Sequence, residues 1–292
     1  MTKKLSILLF PLLILMGFKA DKKAYQIFDQ NGKKLAYDKL LKEISEADII
    51  LIGELHNNPI NHWLQFEITK DIYEKYNDFL ALGAEMYEAD DQLIVNEYLG
   101  GHLDYKSFES EAKVWSNDKT DYKPLLDFAR ENQLTFVATN IPRRYAKMVS
   151  KSGFRAFNDI NEEAKKYIAP LPIEYDDKLP GYLEIKRMMG GGHGHGGVTG
   201  ENLAKAQAAK DATMAHFIMK NWMKDRTFIH YNGAYHSKNY EGIVWYLKKA
   251  NPNIKVATIN CVEQESIEEL EKENLSTSHY IVATPNTMTK TH

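Results

Sequence analysis

The chain has 292 residues, 43% of them hydrophobic, and a net charge of −3 from 37 Lys and Arg against 40 Asp and Glu. That is enough length and apolar content for one large α/β domain with a substantial core. The mild acidic balance, without basic clustering, excludes a nucleic-acid binder, and a single cysteine, Cys261, excludes an internal disulfide.

Residues 1–20, MTKKLSILLFPLLILMGFKA, place Lys3 and Lys4 ahead of an apolar run from Leu5 to Phe18. This reads as a secretory signal cleaved after Ala20. The run is shorter than the roughly 20 apolar residues of a membrane span, and it contains Pro11. Cleavage would remove Lys3, Lys4 and Lys19 and no acid, leaving a net charge of −6. The expectation is an exported protein, periplasmic or secreted, with no transmembrane span in the mature chain. Residues 21–292 are then a single domain.

Next, AYQIFDQNGKKLAY sets Asn31-Gly32 between two β-like runs, a hairpin signal. YDKLLKEISEA predicts a short helix with Leu40, Leu41 and Ile44 on one face. DIILIG is a continuous apolar run of the buried-strand type. Asn58-Pro59 reads as a helix cap followed by proline at the first helical position, with Ile60, Leu64, Ile68 and Ile72 continuing at helical spacing. FLALGAEMY is a second strand, followed by helices over 90–98 and 122–132. LTFVATN is a third strand, with a helix from about Pro142. A long helix covers about 201–224. RTFIHYNG is a fourth strand, leading into a helix over HSKNYEGIVWYLKKA. IKVATINCV, holding the buried Cys261, and HYIVATP are late strands. The alternation predicts an α/β fold, a mainly parallel central sheet with helices on both faces. Residues 154–200, with Pro170, Pro172, Pro180 and a glycine run, read as an insertion, part helix and part loop.

Four of these strands end in polar clusters. DIILIG runs into Glu54-Leu55-His56, and FLALGA into Glu85-Met86-Tyr87-Glu88. LTFVAT ends at Asn140, with Arg143 and Arg144 beyond, and RTFIHYNG leads to Tyr235-His236. In parallel strands these ends share the edge where α/β sheets bind ligands. Glu54 and His56 point to one side in extended backbone. Histidine with carboxylate can bind a divalent metal, with Glu54, His56 and His236 as ligands. The same types, with Glu85, can instead work as general base and orienting partner. Arg143 or Arg144 could grip a carboxylate. Gly53 and Gly233 each open a G-x-x-H and allow unusual backbone angles or close approach. His62, one helical turn further on, faces either the site or solvent.

MMGGGHGHGGVTG spans 188–200. Its G-x-G-x-x-G is no dinucleotide fingerprint, because a helix-like stretch, EIKRMM, precedes it in place of a strand. His193 and His195 in this loop could ligate a metal or haem iron, and Met188 and Met189 would suit a flat apolar ligand.

Taken in order, LIGELHNNPINHWLQ, LGAEMYE, ATNIPRR, AQAAKDATMAHFI and NGAYHS resemble the ChaN-like haem-binding uptake family, within a wider group that holds the Tiki proteases and erythromycin esterases. The resemblance runs from about Ile49 to Leu247. It implies haem binding and iron uptake, with haem held between two subunits and therefore a homodimer. The Tiki branch implies metal-dependent hydrolysis of a peptide or ester. There the two G-x-x-H motifs match Gly53–His56 and Gly233–His236, with Glu54 or Glu85 as the glutamate. Asp211 and Met214 match a further motif, with Asp211 read as the partner of a histidine. ChaN-like proteins are often lipoproteins, and this chain has no cysteine near residue 20. The leading expectation is an exported haem-binding protein of iron acquisition. Its cofactor contacts would be His62, Arg143, Arg144, His193 and His195. A metal-dependent hydrolase is the alternative, and a non-catalytic binding module the third reading.

Overall fold

A computed structural model describes residues 22–76, 79–188 and 198–292. Strands β1 (Gln26–Asp29) and β2 (Lys34–Leu35) form the hairpin. Gly32 at its turn has φ +80°, a conformation that glycine adopts without strain. Helix α1 (Tyr37–Ile44) buries Leu40, Leu41 and Ile44. Strand β3 (Ile49–Glu54) is buried at all six positions. Helix α2 (Pro59–Lys75) starts as its local chemistry requires: the Asn58 side chain accepts from the amides of Ile60 and Asn61, and Pro59 opens the first turn.

Strand β4 (Leu80–Glu88) is followed by α3 (Gln92–Leu99), α4 (Tyr105–Glu111), α5 (Asp118–Asp121) and α6 (Lys123–Glu131). After β5 (Thr135–Asn140) come α7 (Arg143–Ser152), α8 (Glu162–Lys165), α9 (Pro180–Met188) and the long α10 (Gly200–Asn221). Strand β6 (Thr227–Gly233), α11 (Ile243–Ala250), β7 (Val256–Gln264) and β8 (Tyr280–Pro285) complete the chain.

The eight strands form one sheet in the order β2-β1-β8-β7-β3-β6-β4-β5. β3 to β8 run parallel, and β1 pairs antiparallel with β8. The unbroken apolar run of β3 is explained by its two covered faces. Ile50 and Ile52 pack in one core with Leu64, Ile68 and Ile72 of α2. Ile49 and Leu51 pack in a second core with Met214 and Ile218 of α10 and Ile243 and Leu247 of α11. Within the 154–200 stretch, α9 rests on α10, Tyr182 meeting Ala204 and Ala208. Cys261 is buried and unpaired. Among the described residues no helix is long and apolar enough to cross a membrane.

One helix is shorter than its sequence pattern. HSKNYEGIVWYLKKA is helical only from Ile243. Residues 234–240 instead form two short 3₁₀ turns. Asn239, Tyr240 and Gly242 all have positive φ (59°, 60° and 54°), which no α-helix admits. The break sends the His236 side chain inward, to the end of the sheet.

Candidate functional site

The register carries the functional side chains to one place. Glu54 of β3 pairs with Gly233 of β6, and β6 lies between β3 and β4. The chain leaves β3 through α2 on one face and β6 through α11 on the other. Neighbouring strands whose connections part in this way open a crevice at their carboxyl ends. Here it is a cleft of about 890 Å³, with Glu54, His56, Glu85, Trp115, Lys210 and His236 among its lining residues.

On one side, the buried Glu54 carboxylate accepts three hydrogen bonds. They come from His56 Nδ1 at 2.8 Å, Tyr122 Oη at 2.7 Å and Gln65 Nε2 at 2.5 Å. A carboxylate can only accept, so the Glu54 bond puts a proton on His56 Nδ1, and in the neutral ring Nε2 is the bare nitrogen toward the cleft. The ring is 39% exposed and meets the edge of Trp115 at 4.9 Å. Burial works to lower the His56 pKa, but the Glu54 hydrogen bond and the charges of Glu85 and Glu54 outweigh it, and the net shift is upward. His62 is buried behind this pair and does not face solvent. Its Nε2 lies 3.1 Å from the His56 carbonyl and 3.3 Å from Asp121, and its Nδ1 lies 3.3 Å from Gln65 Oε1.

On the other side, His236 is held at both nitrogens. Nε2 lies 3.0 Å from Glu85 Oε1, and Nδ1 lies 2.5 Å from Asp211 Oδ1. Glu85 Oε2 accepts from the Gly233 amide at 2.8 Å, and Asp211 Oδ2 from Tyr182 Oη at 2.8 Å. Burial disfavours a charged imidazole, yet the two carboxylates outweigh it and push the His236 pKa up to about 9. Glu85, though buried, is pulled well below the usual carboxylate range, chiefly by the His236 charge. Burial raises Asp211 despite its pairing with His236. The cleft therefore opposes an imidazole with a free nitrogen to a locked imidazolium.

The other expected residues are distributed unevenly. Arg143 lines the cleft with its Nε 3.6 Å from Glu88. Arg144 lies off the cleft lining, bonded to Asp90 at 2.5 Å and lying over the Tyr145 ring. His193 and His195 lie outside the described residues. Tyr122, Gln65, Trp115, Gln207, Tyr182 and Lys210 complete the site but do not stand out in the sequence. The spacing of Gln207, Lys210, Asp211 and Met214 on one helical face was the one signal available for those on α10. Gln207 Nε2 lies 3.0 Å from His236 Nδ1. Among the described residues no group of three or more His, Cys, Asp or Glu is arranged to hold a metal ion. With both His236 nitrogens turned to carboxylates, the set does not fit a divalent cation.

A family model described as haem-binding uptake, Tiki superfamily, ChaN matches residues 40–247. The chain belongs to this family. The ChaN fold is visible in three dimensions: a solved structure of cofacial heme binding to ChaN of Campylobacter jejuni superposes with a TM-score of 0.66 at 16% identity, covering 90% of this chain and 97% of that one. A Bacillus cereus protein superposes at 0.51 and 11% identity, covering 89% and 95%. An erythromycin esterase, EreC, gives 0.46 at 13%, covering 90% and 83%. By sequence, the chloroplastic RETICULATA-RELATED 5 protein of Arabidopsis thaliana is 26% identical over 144 residues, 47% of this chain. This ChaN-family chain matches only 19% of the length of that relative.

Proposed function

We propose that this chain binds haem in the cleft between His56 and His236, as an exported protein of haem and iron acquisition. The observation that carries the reading is the bare Nε2 of His56, fixed by the Glu54 bond and facing a cleft of about 890 Å³. A neutral imidazole whose other nitrogen donates to a carboxylate is a well-oriented iron ligand. Trp115, Met86, Ile141 and Ile185 supply apolar walls for a flat macrocycle. Tyr235 also lines the cleft, but its phenol bonds Glu184 at 2.8 Å and burial raises its pKa, so it offers no ready phenolate. Haem, when bound, would supply iron for uptake, and the protein's part is to orient it and limit its contact with water. His193 and His195 belong to the same reading as further ligands. The family name and the apolar run of residues 1–20 support it.

The test is a haemin titration of residues 21–292. The expected result is a Soret band saturating at a fixed stoichiometry, with the iron coordination altered in His56→Ala. Absence of any spectral shift at stoichiometric haemin would end the proposal. Sedimentation with and without haemin tests the dimer.

A hydrolytic reading keeps one observation in its favour. His56 backed by Glu54 is placed as a general base, and the charged His236 faces the same cleft. No metal enters this version. Hydrolysis of peptide or ester substrates that survives chelation but vanishes in both His56→Ala and His236→Gln would support it.

A further inference from the structure

The charges lining the cleft are unequally committed. Of its carboxylates, Glu54 and Glu85 are bonded as described, and Glu263 accepts from Asn58 at 2.8 Å and pairs with Lys290. Glu88 makes no hydrogen bond, but Arg143 Nε and Lys113 Nζ face it at 3.6 and 3.7 Å. Two lysines lack such partners. Lys210 on α10 and Lys238, two residues past His236, both line the cleft and are both half-buried. Neither ammonium has a hydrogen bond or ion pair with any described residue. Lys210 acts on Glu85 only through space.

The position of Lys210 follows from its helix. Gln207, Lys210 and Asp211 lie at i, i+3 and i+4, on one face of α10. Asp211 holds His236, so the stretch that carries Lys210 is anchored beside an imidazolium. A half-buried ammonium without a counter-ion loses hydration for no return. Uncommitted charge of one sign in a walled cleft raises the local concentration of the opposite ion.

We propose that Lys210 and Lys238 are the anion-recognition pair of this cleft, and that its ligand presents a carboxylate to them. On the haem reading, on which this assignment rests, that carboxylate is a haem propionate. The test compares haemin with haemin dimethyl ester, in which the propionates are uncharged, on the wild-type chain and on Lys210→Met, Lys210→Arg and Lys238→Met. Methionine keeps the apolar stem on the helix, and circular dichroism melts confirm folding. Lys210→Met should weaken haemin binding at least about tenfold, as expected for losing a charged hydrogen bond. It should leave dimethyl ester binding unchanged, and Lys210→Arg should restore haemin binding. Equal haemin affinity in the Lys210→Met/Lys238→Met double variant overturns the pair while leaving the haem reading intact. An equal loss for haemin and its diester also overturns it, because the effect is then one of shape. If the wild-type chain takes up no haemin, both the reading and the assignment fall.

Discussion

His56 and Gly233 face each other across the paired ends of β3 and β6. A Cβ on Gly233 would come within 2.8 Å of His56 Nε2 and 2.9 Å of Cε1. The residue has φ −57°, which any amino acid adopts, so the glycine serves close approach and not an unusual backbone angle. Gly233→Ala therefore strains no backbone. It meets the far end of a side chain that is 39% exposed and can swing outward by giving up its Glu54 bond. The expected outcome is a stability change within about 1 kcal/mol, with haemin affinity reduced by about tenfold or more as the ring leaves its place. A thermal melt and a Soret titration on the same sample check it. A variant that binds haemin normally would show that the His56 position is irrelevant to the ligand. The sequence alone left both explanations of Gly233 open, since a glycine looks the same whether backbone or neighbour requires it. Glu54 with His56 was legible because the pair is two residues apart. Lys210 was not, because a lysine on a helix is solvated unless tertiary packing makes it otherwise.

At the scale of the element, β6 and the turn after it hold two histidines in opposite states. His230, inside the strand, is fully buried beside Thr139 Oγ1 at 2.7 Å and Asn232 Oδ1 at 3.1 Å. Burial dominates there, against the Asn232 bond and the Glu85 charge and with the His236 charge, and the pKa falls from 6.5 to about 4. His236 is raised from 6.5 to about 9 by Glu85 and Asp211. A group raised on folding contributes stability that is fully present below its unfolded value and is lost as pH climbs through the folded one. The His236 contribution thus fades between pH 6.5 and 9. A group depressed on folding behaves oppositely, so the His230 contribution fades as pH falls from 6.5 to 4. Each limb is on the order of 3 kcal/mol, and Glu85, held low, adds to the loss on the acid side. Thermal melts across pH 4–10 should peak near pH 6.5. His236→Gln should flatten the alkaline limb and His230→Gln the acid one. A profile unchanged by both substitutions would refute this account. The strand itself was readable as an apolar run, and so was the cap at Asn58, because capping is local chemistry. The break before α11 was not readable: positive φ at Asn239 and Tyr240 goes with contacts to distant residues, the Asn239 amide donating to the Thr277 carbonyl at 2.7 Å and the Tyr240 ring meeting His279 at 4.8 Å.

For the molecule as a whole, alternating strands and helices already implied a parallel sheet covered on both faces. What they could not give was the strand order. Placing β6 between β3 and β4 requires a crossover from β5 that no local pattern encodes. That order makes the site a property of the whole chain, since Glu54, Glu85, Lys210 and His236 come from segments far apart in sequence. The same sheet divides the two main cores, with β3 contributing to both. A ligand seated at its edge therefore cannot stay bound when either core opens. Binding must then appear in global unfolding. At a hundredfold excess over its dissociation constant, haemin should stabilise the chain by about 2.7 kcal/mol, a rise of roughly 5 °C or more in Tm for a domain of this size. The melt should remain a single transition, shifted as a unit, and Gly233→Ala should lose about half of the shift at the same haemin concentration if its affinity falls tenfold. A Soret band formed without any change in Tm would mean that haem associates with folded and unfolded chain alike, and the cleft would not be its site.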